Sequence, residues 1–139
     1  MWCIMYLEND KINKTKVFKL HFENTKDITY LVGTIELKNL HDVLKVNTKQ
    51  TPDILAVTVK QKQRKYTIPN INKNVCGIVN SIYLQKEKLV IKIQLMDNNL
   101  GRKLSHKQNR LKVKGYLVFD NKSYTDIQFV HLLVKHKFL

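Results

Sequence analysis

The stretch KLVIKIQLMDNNLGRKLSHKQNRLKVKGYLVF, residues 88–119, decides the fold. In its first part Leu89, Ile91, Ile93 and Leu95 alternate with Lys88, Val90, Lys92 and Gln94. In its last part Leu111, Val113, Gly115, Leu117 and Phe119 alternate with Arg110, Lys112, Lys114, Tyr116 and Val118. Successive side chains of a strand point to opposite faces. Both runs therefore read as strands that offer one apolar face to a core. The opposite face carries Lys88 and Lys92 on the first, and Arg110, Lys112, Lys114 and Tyr116 on the second. A cationic face with an aromatic on it suits a polyanion that also has flat bases. A solvated Lys face gives the same pattern. In the basic interlude between the strands, Leu100 and Leu104 at i and i+4 predict a short amphipathic helix. Its Arg102 and Lys103 join the candidate phosphate contacts.

Moving outward, Asp120-Asn121-Lys122-Ser123 is a hairpin signal, and Tyr124 to Val134 reads as the last strand. On the other side, Val75 to Gln85 is an apolar strand run with Tyr83 near its end. Its Gly77 marks a bend, and Lys86-Glu87 makes the turn. Ile54 to Arg64 predicts a strand whose polar side carries Lys60, Lys62 and Arg64 and leads to Tyr66, a second cationic face ending in an aromatic. Lys38 to Asn47 fits a strand or a short helix. Ile28 to Leu37 is a long strand, and its apolar phase shifts at Gly33, which predicts a bulge or bend. Trp2 to Leu7 and Val17 to Phe22 could pair as an N-terminal hairpin. In the second of these, Lys19 and His21 lie opposite Phe18, Leu20 and Phe22.

Eight or so strands with turns every 8–12 residues and little helix predict an all-β sandwich or barrel. A length of 139 residues fits one domain, and 43% hydrophobic residues suffice for a core. No apolar run reaches the roughly 20 residues that span a bilayer. Met1 to Leu7 lacks the basic start of a secretion signal, so an intracellular protein with no membrane partner is expected.

The net charge is +14. Residues 1–57 hold 8 Lys against 7 acids; residues 58–139 hold 17 Lys plus Arg against 4 acids. Such asymmetry argues for a polyanionic partner. The cations are 22 Lys and only 3 Arg. Lys suits nonspecific phosphate contact, whereas Arg is preferred for reading base edges. Codon bias in an AT-rich genome gives the same excess of Lys, Asn and Ile.

No arrangement of acids, His or Cys argues for catalysis or a metal, and no cofactor-binding loop is visible. The chain reads as a non-enzyme. Cys76 lies in an apolar run and reads as a small buried hydrophobe.

From Leu89 on, the chain resembles the second half of the bacterial and mitochondrial single-stranded-DNA-binding proteins. Leu89 to Leu95 is similar to their third strand, Leu100 to Asn109 stands where they have a helix, and Val113-Lys114-Gly115-Tyr116-Leu117 matches a V-x-G-x-L strand. Tyr30 to Ile35 resembles their first strand, and Thr51 to Val59 their second. The resemblance implies a small OB-like β-barrel, closed or partly open, over residues 28–136, preceded by an extra hairpin in residues 1–27. It also implies single-stranded nucleic acid as partner, DNA favoured, a homo-oligomer, and work in replication or genome maintenance. The phosphate contacts would be Lys60, Lys62, Arg64, Lys88, Lys92, Arg102, Lys103, Arg110, Lys112 and Lys114. The stacking residues would be Tyr66, Tyr83 and Tyr116. Three features depart from the family: the sequence given ends His136-Lys137-Phe138-Leu139 rather than in an acidic tail, its one Trp, Trp2, lies outside the match, and there is extra sequence before the barrel and between Lys60 and Leu89. The competing expectation is a structural or assembly β protein of a virus or ribonucleoprotein particle.

Overall fold

The computed structural model describes residues 13–14, 16–36, 54–58, 74–119 and 127–137. Eight strands are seen there: β1 (Asn13–Lys14), β2 (Phe18–Thr25), β3 (Ile28–Glu36), β4 (Leu55–Thr58), β5 (Val75–Gln85), β6 (Lys88–Leu95), β7 (Leu111–Phe119) and β8 (Ile127–His136). One helix, α1 (Asn99–His106), and a 3-10 turn, Gln108–Arg110, join β6 to β7. No described helix is long and apolar enough to cross a membrane.

The fold is all-β and OB-like in character. Six long strands, in the order β8-β7-β2-β3-β6-β5, pair antiparallel and curl. The short β4 closes the ring by pairing antiparallel with β5 and parallel with β8. Alternation decides what fills it. Leu31 and Ile35 of β3, Leu89, Ile91, Ile93 and Leu95 of β6, and Leu111, Val113 and Leu117 of β7 all lie in one buried cluster. Each such side chain contributes roughly 1.5–3 kcal/mol relative to exposure.

Two two-residue turns fix the register. Thr25 faces Ile28 across Lys26-Asp27, and Gln85 faces Lys88 across Lys86-Glu87. Lys26 and Lys86 take positive φ, 54° and 57°, the conformation that lets so short a loop match strand twist.

Helix α1 begins where Asn98 Oδ1 accepts a hydrogen bond from Gly101 N at 2.8 Å. The Asn98 amide also donates to Val75 O at 3.0 Å, which ties the cap to β5. The helix sends Leu104 into the core. A side chain at Gly101 would put its Cβ 2.0 Å from Met96 O, so only glycine permits this approach.

Two expectations change. β2 is no appendage: it lies between β7 and β3 in the barrel wall and buries Phe18 and Leu20. The proposed partner strand, Trp2 to Leu7, lies outside the described residues. Gly33 marks no bulge. Pairing with β6 runs unbroken through it, the β2 ladder ends at it, and Leu20 and Phe18 fill the space where its side chain would be, 2.7–2.8 Å from a Cβ. The inward residues of β3 are thus Leu31, Gly33 and Ile35, while Tyr30 and Val32 face outward. The irregularity expected at Gly77 is present on the β4 side, where Ala56 faces Gly77 but Val57 faces Val75, and a second lies between Val79 and Ser81 on the β6 side. Cys76 is fully buried, and burial pushes its thiol up to about 12.

Candidate nucleic-acid interface

The deciding stretch forms two strands, but they are not neighbours. β2 and β3 lie between β6 and β7. The candidate cations therefore divide.

Those on β6, and Arg102 of α1, already have partners within the protein. Lys88 pairs with Glu36 at 3.7 Å. Lys92 Nζ stands 4.2 Å from the centroid of the Tyr30 ring. Arg102 Nη1 donates to Asp97 Oδ1 at 2.8 Å and its Nη2 to Asn99 Oδ1 at 2.9 Å. Lys103 is exposed on α1.

The cations on β7 are different. Lys112 stands directly opposite Lys135 of β8, and Lys114 directly opposite Lys19 of β2. Facing residues of an antiparallel pair have Cβ atoms roughly 4.5–5.5 Å apart, and like charges there destabilise the sheet. Among the described residues no carboxylate lies within ion-pair distance of these four ammonium groups.

A groove opens beside them because β2 and β7 part. Their pairing covers only Phe18–Gly115, Lys19–Lys114 and Leu20–Val113. Further along, β2 is bridged to the 3-10 turn that precedes β7 by reciprocal amide bonds, Asn24 Nδ2 to Gln108 Oε1 at 2.8 Å and Gln108 Nε2 to Asn24 Oδ1 at 3.3 Å. Thr29 braces this bridge by donating to Asn24 Oδ1 at 2.9 Å. Between the ladder and the bridge lies a cavity of about 630 Å³. Lys19, His21, Lys112, Lys114 and Lys137 line it, Phe22 contributes an apolar wall, and none of the lining residues is acidic. Glu23, beyond the lining, binds His21 Nε2 at 2.9 Å. Arg110 is exposed at the mouth, where its carbonyl accepts from Lys137 N at 2.8 Å.

Tyr116 does not stack from this face. It points outward, as the alternation requires, but its surroundings bury it to 5% exposure. It packs with Val75, Val118 and Phe129, and it makes an edge-on ring contact and a hydrogen bond with His131, directly across the ladder. The sequence shows which side of a strand a residue takes; it does not show that both sides of β7 become covered beyond Gly115. Tyr83 is exposed, but on β5, away from the groove. Lys60, Lys62, Arg64 and Tyr66 lie outside the described residues.

Lys19, His21 and Lys137 of the groove, and Lys135 facing Lys112 beside it, are residues that the sequence reading does not select. The Lys19–His21 alternation was visible. Residues 1–57 are nearly neutral as a whole, whereas this local face is cationic.

A second cavity, of about 730 Å³, lies between β3, β5, β6 and the start of α1. Asp27 and Asp97 are on its rim with the already paired Arg102, which makes it a poor seat for phosphate.

No family model matches the chain, and neither the curated proteins nor the solved structures compared with it include a match.

Proposed function

We propose that this chain binds single-stranded nucleic acid, DNA favoured, without sequence preference, and that the phosphates run in the groove between β2 and β7. The observation that carries this reading is the opposed lysines, Lys19 with Lys114 and Lys112 with Lys135, lacking acidic partners among the described residues. A fold that holds like charges face to face gains stability when an anion lies between them.

Groove geometry favours one strand over two. The opening is the gap between two parted neighbours of one sheet, a shape that suits a single extended chain. Lys112 and Lys114 lie two residues apart on an extended strand, roughly 6.7 Å. An extended sugar–phosphate backbone repeats over six bonds, a similar length, so successive phosphates of one strand match the spacing of these lysines. The predominance of Lys fits phosphate contact without base reading. Work in replication or genome maintenance is the process that the resemblance to single-stranded-DNA-binding proteins suggests.

The test is fluorescence anisotropy with labelled dT oligomer, rU oligomer and duplex DNA at several salt concentrations. The reading expects single strands to bind more tightly than duplex, with log affinity falling linearly against log salt. Equal binding of every polyanion would reduce the groove to a basic surface.

A second reading, a structural or assembly protein, draws on Ile78, Tyr83 and Leu84, exposed at 37%, 46% and 57% on β5. It expects a defined oligomer in the absence of nucleic acid, measurable by light scattering.

A further inference from the structure

Binding of a strand with bases calls for an outward aromatic near the groove, and Tyr116 does not supply one. β3 does. Its unbroken register turns Tyr30 outward, between Glu23 of β2 and Gln94 of β6. The next outward residue, Val32, is the direct neighbour of His21, which lines the groove. Strands lie about 4.8 Å apart and outward residues repeat about every 6.7 Å, so Tyr30 is one diagonal step from the groove wall.

Besides Glu23 on the β2 side, which binds His21, the β6 side of the ring carries Lys92 and Gln94, with Asn80 behind Gln94. Lys92 Nζ stands 4.2 Å from its centroid. Gln94 is its cross-strand neighbour. Asn80, at the irregularity of β5, donates from Nδ2 to Gln94 Oε1 at 3.3 Å. That bond leaves Asn80 Oδ1 as an acceptor and Gln94 Nε2 as a donor, side by side.

We propose that Tyr30 and Lys92, with the Asn80–Gln94 amide pair that also lines the second cavity, form a nucleobase subsite across β2 from the phosphate groove. This rests on the reading of the groove as a nucleic-acid site. In the free protein the Lys92 ammonium covers the ring. An exposed cation–π contact is weaker than base stacking, so an incoming base displaces it. Lys92 then turns to that nucleotide's phosphate. The amide pair meets the edge of the base, and every one of the four bases offers a donor beside an acceptor. The subsite therefore takes a base without selecting which, in keeping with a groove that does not read sequence.

The test compares a labelled dT oligomer of about 12 nucleotides, within the span of one OB-type site, with an abasic phosphodiester of equal length. Wild-type protein binds dT more tightly than the abasic chain. Tyr30→Ala and Tyr30→Leu lose about tenfold on dT and nothing on the abasic chain. Tyr30→Phe, which keeps the ring, behaves as wild type. Lys114→Gln weakens both. Should the Tyr30 variants lose equally on both chains, or on neither, while Lys114→Gln still weakens both, the subsite is overturned and the groove stands. Should wild-type protein bind neither chain, the groove reading is overturned and the subsite with it.

Discussion

Lys114→Glu should make the protein more stable and worse at binding. Lys114 faces Lys19 across the ladder and has Lys112 two residues away on the same side of β7. A directly opposed charged pair is worth roughly 0.2–1 kcal/mol, favourable or unfavourable by sign. Reversing one charge changes a repulsive pair into an attractive one, so the Lys19 contact alone yields about 1 kcal/mol. Lys112, at roughly 6.7 Å, adds a few tenths at low salt, because two exposed charges at that distance in water interact by about 0.6 kcal/mol before screening. At this chain length the sum raises Tm by roughly 3–5 °C. The gain should vanish near 1 M salt, where the Debye length is about 3 Å. Binding moves the other way. One lost phosphate contact flattens the salt slope for a single strand by about 0.7, which is about fivefold in affinity near 0.1 M salt. The added negative charge should bring the loss to roughly 25-fold on the same scale. Thermal melting at two salt concentrations and anisotropy titrations of a dT oligomer read both effects. A variant that melts no higher at low salt would show that these lysines do not repel one another. One that binds dT as well as wild type would show that the phosphates run elsewhere.

Other consequences follow from packing. Tyr116→Phe removes the hydroxyl bonded to His131 inside a buried cluster and should cost about 1–3 kcal/mol in urea unfolding, with dT affinity unchanged at full folding. Leu31→Ala or Ile91→Ala, at fully buried sites, should cost about 2–5 kcal/mol in the same assay. Gly101→Ala forces a Cβ onto Met96 O and should displace α1, seen as a loss of at least about 1–3 kcal/mol and faster amide exchange over Asn99–His106. Cys76 should resist thiol reagents at pH 8 until the protein unfolds. Its folded thiol keeps its proton up to about pH 12 while the unfolded one loses it near 9, so this group lowers stability as pH rises through that interval and leaves it unchanged below. Alkaline unfolding of Cys76→Ala against wild type isolates that slope.

Most of the described architecture was legible because it rests on alternation. The runs at Leu89–Leu95 and Leu111–Phe119 identified their inward residues correctly, and Leu100 and Leu104 located the helix. Alternation failed at Gly33, where Tyr30 and Val32 look as apolar as a core face. The true inward set includes a glycine whose missing side chain is replaced by Phe18 and Leu20 from β2. The candidate site was legible only in part. Lys112 and Lys114 were visible as a pair on one strand. Their partners Lys19 and Lys135 come from strands distant in sequence, and only the order of strands around the barrel brings them face to face. The same order separates Lys88 and Lys92 from the groove and gives each a partner of its own. Tyr116 shows the remaining limit, since burial of an outward residue depends on what covers the wall from outside.

The most direct test of the central claim is a map of backbone amide chemical shifts on 15N-labelled protein as a dT oligomer is added. The account predicts saturable shifts concentrated at residues 19–24, 108–114 and 135–137, which border the groove, with a smaller set at 30 and 92. Shifts confined to β4 and β5, or none at saturating oligomer, would contradict it.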